Sequence, residues 1–102
     1  MEGSNFDTIQ NLANIDVAKL KLAQESYGDS WRKRGGIGAF MMLARKWDRV
    51  ENQVTKDGYN IFDTIHNDPS STGILDDIRD LRRYLLLVEG YVTDNWREDH
   101  ND

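Results

Sequence analysis

The chain carries two pairs of acidic residues whose spacing could hold a divalent metal ion. Asp48 and Glu51 form one pair and Asp77 and Asp80 the other, and the members of each pair are three residues apart. On a helix this spacing places both carboxylates on neighbouring turns of one face. Hard divalent cations prefer oxygen ligands of this kind, and facing helices of a bundle can supply them. The spacing therefore predicts that four carboxylates converge on a metal.

Glu51 makes the first pair unusual because it falls among apolar residues. When residues 37–56 are wound as a helix at about 100° per residue, Glu51 lies near the middle of an apolar stripe and Asp48 at its border. The stripe comprises Phe40, Leu43, Ala44, Trp47, Val50 and Val54. A carboxylate that faces a core needs a metal or a cationic partner. The alternative to a metal is a structural ion pair, for example between Glu51 and Arg82.

The second pair has a simpler alternative explanation. Asp77 and Asp80 fall in the first two turns of a predicted helix that begins at residue 74. Acidic side chains at that end interact favourably with the helix dipole and need no further function there.

A loop rich in basic and aromatic residues separates the first two predicted helices. It contains Trp31 and the basic run Arg32, Lys33 and Arg34, and Tyr27 immediately precedes it. Cations beside the start of a helix favour a bound anion, and aromatic rings can contact a cationic or planar group of a ligand. These five residues are the predicted ligand-binding set. The alternative is a flexible connection with a solvated basic run.

Helical periodicity accounts for most of the chain and must position these groups. Apolar residues recur at helical spacing, and the predicted helices cover residues 5–26, 37–56, 60–67 and 74–96. We expect an all-α, compact helical bundle of three long helices and one short helix. Asp16 faces the stripe of the first helix, which suggests a break there with Asp16 as an N-cap. The predicted domain spans 1–96, and residues 97–102 form a frayed polar tail.

Composition limits the classes of function. The 102 residues include no cysteine, which excludes disulfides, thiolate zinc sites and a cysteine nucleophile. A core of this size is modest, so we expect a homo-oligomer. No apolar run approaches the ~20 residues that span a bilayer, and the start lacks a signal peptide, so we expect a cytoplasmic protein without a membrane partner.

The charge is unevenly distributed along the chain. The net charge is −5, yet residues 32–49 carry +5 and the remainder −10. An acidic total argues against binding duplex nucleic acid. A local basic patch beside acids is better suited to a phosphate-bearing small molecule than to a duplex backbone.

Three sequence stretches resemble known families. The run YGDSWR at 27–32, the core ARKWDR at 44–49 and the helix LDDIRDLRRYLLL at 75–87 look like phage and prophage proteins related to the nucleotide-modification-associated domain 1 family. This resemblance covers about residues 20–90. The chain is similar, more distantly, to the all-α nucleotide pyrophosphohydrolases of the MazG and dimeric dUTPase type, which bind magnesium through E-x-x-E and E-x-x-D pairs.

The resemblance implies two functions. In the first, Mg²⁺ held by Asp48, Glu51, Asp77 and Asp80 orients phosphates for hydrolysis, with Glu51 and Asp77 as catalytic residues. In the second, a non-catalytic phage protein in the host cytoplasm binds or sequesters a nucleotide second messenger of host defence. Positions 48 and 77 hold Asp where the pyrophosphohydrolases usually have Glu, which favours the second function. A third possibility is a helical interaction module without a ligand.

Overall fold

The structure, a computed structural model, describes residues 2–68 and 73–96, with side chains from residue 5 onward. Within these ranges the chain forms four helices and no strand. They are α1 (Glu2–Tyr27), α2 (Gly35–Thr55), α3 (Ile61–Asn67) and α4 (Ile74–Asn95), and a 3-10 turn spans Ser30–Arg32. The predicted all-α class, with three long helices and one short helix, is confirmed.

The described chain divides into two compact units, with the boundary between Lys33 and Arg34. The first unit contains α1 and the 3-10 turn, and the second contains α2, α3 and α4. The single domain over 1–96 and the homo-oligomer stay predictions. The predicted tail, 97–102, lies outside the described residues.

Helix α1 runs without interruption, so the predicted break and restart at Asp16 is wrong. Asp16 is buried within a continuous helix, with 0% of its surface exposed. The helix ends at Gly28, whose φ of 58° is positive and whose N–H donates to the Gln24 carbonyl at 2.8 Å. Glycine adopts this backbone conformation at little cost, so the end of α1 is determined locally.

A tight turn and a side-chain cap connect α2 to α3. Tyr59 takes a positive φ of 66°, and its N–H donates to the Val54 carbonyl at 2.8 Å. The side-chain oxygen of Asn60 then accepts hydrogen bonds from the backbone N–H groups of Phe62 and Asp63, at 3.1 and 3.2 Å. This cap satisfies two donors that a helix start otherwise leaves without partners. The chain therefore leaves α2 and begins α3 within a few residues.

The core of the second unit lies where α3 covers α2 and α4. It consists of Val50, Val54 and Ile74, with Ile61, Ile65 and Ile78 packed against them. The predicted inward positions of Val50 and Val54 are confirmed. The prediction for Phe40 and Trp47 is wrong, because these side chains are 63% and 55% exposed.

Candidate functional site

Asp77 is the most deeply buried acid among the described residues of the second unit, and two side chains of α2 satisfy its carboxylate. Only 3% of Asp77 is exposed. Arg49 donates from Nε to Oδ1 at 2.7 Å, and Gln53 donates from Nε2 to Oδ2 at 2.9 Å. The Gln53 amide also donates to the Arg49 carbonyl at 2.9 Å, which holds it in place. Both carboxylate oxygens of Asp77 therefore have protein donors.

Asp80, on the same helix as Asp77, forms a second ion pair with α2. Its Oδ2 lies 3.0 Å from Nζ of Lys46. Lys46 and Arg49 are three residues apart on α2, as Asp77 and Asp80 are on α4. Lys46 comes first on α2 but pairs with Asp80, which comes second on α4, so the two helices run antiparallel. The basic pair of α2 thus faces the acidic pair of α4. We call these four residues the charge ladder.

The ion pair with Asp77 further stabilises the charged form of Arg49, which is already the form of an ordinary guanidinium. The hydrogen bond to Asp77 and the negative charge of that carboxylate raise the pKa of Arg49, with a smaller contribution from Asp80, while desolvation opposes them. The guanidinium side chain is 63% exposed, so water solvates it while the carboxylate is buried. A permanent cation therefore lies against Asp77.

The other acidic pair lies elsewhere on α2. Asp48 and Glu51 are both exposed, so the predicted burial of Glu51 is wrong and its charge needs no partner. Glu51 follows Arg49 by two residues, which turns it about 200° away from the ladder. The four carboxylates do not converge, because α2 presents its cations to α4 and turns these acids to solvent.

The donor set therefore does not fit magnesium as the sequence predicted. Among residues 5–68 and 73–96, no group of three or more His, Asp or Glu side chains is placed to hold a metal ion. Asp77 already accepts from Arg49 and Gln53, and Asp80 is paired with Lys46. The structure does not bring Glu51, predicted to act with Asp77 in catalysis, to the same site. Mg²⁺ binding stays a prediction.

The basic and aromatic loop contains an open depression of about 550 Å³ within the first unit. It is lined by Tyr27, Asp29, Ser30, Arg32 and Lys33. Three of the five predicted ligand-binding residues thus lie around one concavity. Trp31 is half-buried and is not part of the lining, and Arg34 belongs to the second unit. Ligand binding by all five residues stays a prediction.

The 3-10 turn gives this depression its shape. After Gly28 ends α1, the Arg32 and Lys33 N–H groups donate to the carbonyls of Asp29 and Ser30, both at 3.1 Å. The turn folds Arg32 back, so that its Nη2 lies 2.9 Å from Oδ2 of Asp29. This ion pair fixes the guanidinium on one side, while Lys33 is exposed.

Sequence reasoning missed Arg49, Gln53 and Lys46 in the ladder and Asp29 and Ser30 in the depression. A signal for the ladder was present, because a basic pair and an acidic pair with the same spacing occur on two helices that can run antiparallel. Asp29 and Ser30 lie inside the YGDSWR stretch, but their role depends on the turn, which the sequence pattern did not specify.

Comparisons with known proteins leave the class of this protein open. No protein-family model matches the chain, and neither the curated proteins nor the solved structures contain a significant match. The resemblance to phage nucleotide-related proteins and to pyrophosphohydrolases stays a prediction. Across the described helices, none combines the length and apolar character needed to cross a bilayer.

Proposed function

We propose that the protein binds a nucleotide-like, phosphate-bearing small molecule at the loop depression without hydrolysing it. The observation that carries the proposal is that an exposed aromatic ring and two basic side chains line one concavity. Its volume, about 550 Å³, is within the range of small-ligand sites. The lining side chains sum to a net charge of +1, from Arg32 and Lys33 against Asp29, which favours an anion.

Tyr27 provides the surface for the base. It is 73% exposed at the last residue of α1. Stacking of a base on an aromatic ring contributes about 1–3 kcal/mol and tolerates different bases. A site of this kind therefore selects flat, aromatic ligands more strongly than it distinguishes one base from another.

The basic side chains provide the phosphate contacts. The ion pair with Asp29 holds Arg32 at the edge of the depression, and a guanidinium is a favoured donor to phosphate oxygens. Lys33 adds an exposed charge, and the Ser30 hydroxyl adds a neutral donor. Because the site is open to solvent, salt screens these contacts strongly, and we expect modest affinity.

The charge ladder favours binding over turnover. Metal-assisted phosphate hydrolysis needs carboxylates that are available to a cation. The two acids of α4 are instead paired with Arg49 and Lys46, and the two exposed acids of α2 do not converge with them on one site. The second function implied by the resemblance, sequestration or sensing of a nucleotide, is the one that this arrangement supports better.

A ligand panel tests the proposal. The purified protein is titrated with nucleoside triphosphates, cyclic mono- and oligonucleotides and inorganic phosphate, each with Mg²⁺ and with EDTA, and every ligand is then analysed by chromatography. We expect nucleotides to bind in both conditions and to be recovered intact. Binding that requires Mg²⁺, followed by cleavage, would instead support the hydrolase. No binding of any member would refute the proposed function.

Two substitutions locate the site. We expect Lys33→Gln and Tyr27→Leu each to weaken nucleotide binding about 10-fold, through lost charge and lost stacking respectively. The matched control is Lys56→Gln, which removes an exposed lysine outside the depression. Equal affinities for Lys33→Gln and Lys56→Gln would show that the ligand binds somewhere else.

A further inference from the structure

The second unit leaves a large apolar surface uncovered on α2 and α4. Ile37, Phe40 and Trp47 on α2 are 82%, 63% and 55% exposed, and Leu85 and Val92 on α4 are 50% and 39% exposed. We call these five residues the open apolar face. Isolated exposed apolar side chains are ordinary, but five on one side of a helix pair form a patch that suits an interface.

The open apolar face lies next to the core of the second unit, along the same sides of α2 and α4. Phe40 and Trp47 precede Val54 by fourteen and seven residues, and Leu85 and Val92 follow Ile78 by seven and fourteen. Seven residues make almost two helical turns, so these side chains lie on the same sides of their helices as the core residues. α3, with 7 residues, covers only the core end of this surface.

The antiparallel register places the residues of the open apolar face on α2 beside those on α4, at similar positions along the helix axes. Lys46 pairs with Asp80 and Arg49 with Asp77. When this register is extended along the helices, Leu85 comes level with Phe40, and Val92 comes level with the start of α2. Most of the open apolar face therefore lies beyond the charge ladder on both helices, and Trp47 lies level with the ladder.

We infer that the open apolar face binds the same face of a second copy of this chain, with the two α2 helices antiparallel. The charges beside the face favour this occupant. Exposed Arg34 precedes the apolar residues of α2, and exposed Glu51 follows them. A two-fold axis near residues 42–43 brings Glu51 of each copy beside Arg34 of the other, so the same surface is complementary to itself.

The area of an interface built on the open apolar face is close to the area that each partner buries in a stable dimer. The five side chains expose about 500 Å² of apolar surface, judged from their sizes and exposed fractions. Interface cores are about two-thirds apolar, so a patch of this kind corresponds to about 750 Å² on each partner. Stable interfaces bury about 800 Å² on each partner. A parallel arrangement would bring Arg34 beside Arg34 and Glu51 beside Glu51, which is unfavourable.

Sedimentation of the full chain over micromolar to millimolar concentrations tests the interface. We expect a monomer–dimer equilibrium, and Trp47→Gln should raise the dissociation constant about 100-fold, because each dimer loses two buried indoles. The control is Phe62→Gln, which replaces an exposed aromatic residue of α3 outside the face (79% exposed). A wild-type monomer at every concentration would overturn the inference, and so would a dimer that Trp47→Gln leaves unchanged.

A charge exchange tests the antiparallel arrangement. We expect Glu51→Arg and Arg34→Glu each to raise the dissociation constant about 10-fold, and the double variant to recover most of the loss. Circular dichroism checks that each variant keeps the helix content of the wild type. A double variant as weak as the product of the two single changes would overturn the pairing of Glu51 with Arg34.

Discussion

Replacing Asp77 or Asp80 by alanine should have unequal consequences, although the two residues share one helix and one spacing. Asp77 is 3% exposed and accepts hydrogen bonds from Arg49 and Gln53. The Asp80 side chain is 43% exposed and is paired with Lys46. The two variants therefore compare a buried acid with a half-exposed one on the same helix.

The magnitudes follow from this burial. Asp77→Ala removes two hydrogen bonds to a charged acceptor, and the carboxylate no longer has to be desolvated, which offsets part of the loss. We expect the free energy of unfolding to fall by about 1–2 kcal/mol. Asp80→Ala removes a half-exposed ion pair that water still screens, and we expect a loss of about 0–0.5 kcal/mol. For a chain of this size, the Tm should fall by about 4–16 °C for Asp77→Ala and by a few degrees or less for Asp80→Ala.

Urea unfolding monitored by circular dichroism, at low and at high salt, measures both effects. Screening should remove the small effect of Asp80→Ala and leave most of the effect of Asp77→Ala, because salt acts weakly on buried groups. The reasoning is refuted if the two variants lose equal stability, or if high salt abolishes the loss caused by Asp77→Ala.

Three further substitutions test the fold. Ile74→Ala should lower the free energy of unfolding by about 2–5 kcal/mol and Ile74→Val by about 1 kcal/mol in urea titrations, because this side chain is 1% exposed in the core; equal losses would contradict the packing. Asn60→Ala should cost about 1 kcal/mol by loss of the α3 cap, whereas Asn60→Asp keeps an acceptor and should be near neutral by thermal unfolding. Gly28→Ala should lower the Tm by several degrees because φ is 58°, and an unchanged Tm would contradict that backbone.

The bounds of the helices could be predicted because the residues at each helix end determine where that helix begins or stops. Gly28 ends α1 through its own backbone freedom, and Asn60 begins α3 through its own side chain. The predicted bounds therefore differ from the observed ones by only a few residues. Asp16 is the exception, since cap preference favours a break, while the structure keeps α1 continuous across this buried residue.

The direction in which α2 faces could not be predicted from α2 alone. Apolar residues occupy more than one side of this helix, with the buried Val50 and Val54 on one side and Met41, which is 51% exposed, on another. When the apolar residues of α2 are treated as one stripe, the centre of that stripe falls near Glu51. Glu51 was therefore predicted to be buried. The pairing of α2 with α4 decides the orientation. It depends on Lys46 and Arg49 meeting two acids that lie about thirty residues later in the chain.

The composition of the loop predicted an anion site, but it did not predict which of the loop residues line the depression. A basic run beside Tyr27 indicated an anion site, and three of the predicted residues do line the depression. Arg34 does not, because the boundary between the two compact units falls immediately before it. Neighbours in sequence can belong to different units, and the residue pattern does not mark that division.

The charge ladder also determines which misfolded hairpins the chain avoids. If α4 slipped by one turn along α2, the apolar side chains would still find apolar neighbours, and such an arrangement would lose little hydrophobic burial. Because the two pairs have the same spacing, a slipped register could pair only one cation with one acid, and Asp77 would lose at least one of its two donors, Arg49 and Gln53, at a cost of about 1–3 kcal/mol. Asp77 thus widens the energy gap between the correct hairpin and its slipped competitors. A leucine at this position could leave the native fold equally stable and yet allow several registers to coexist.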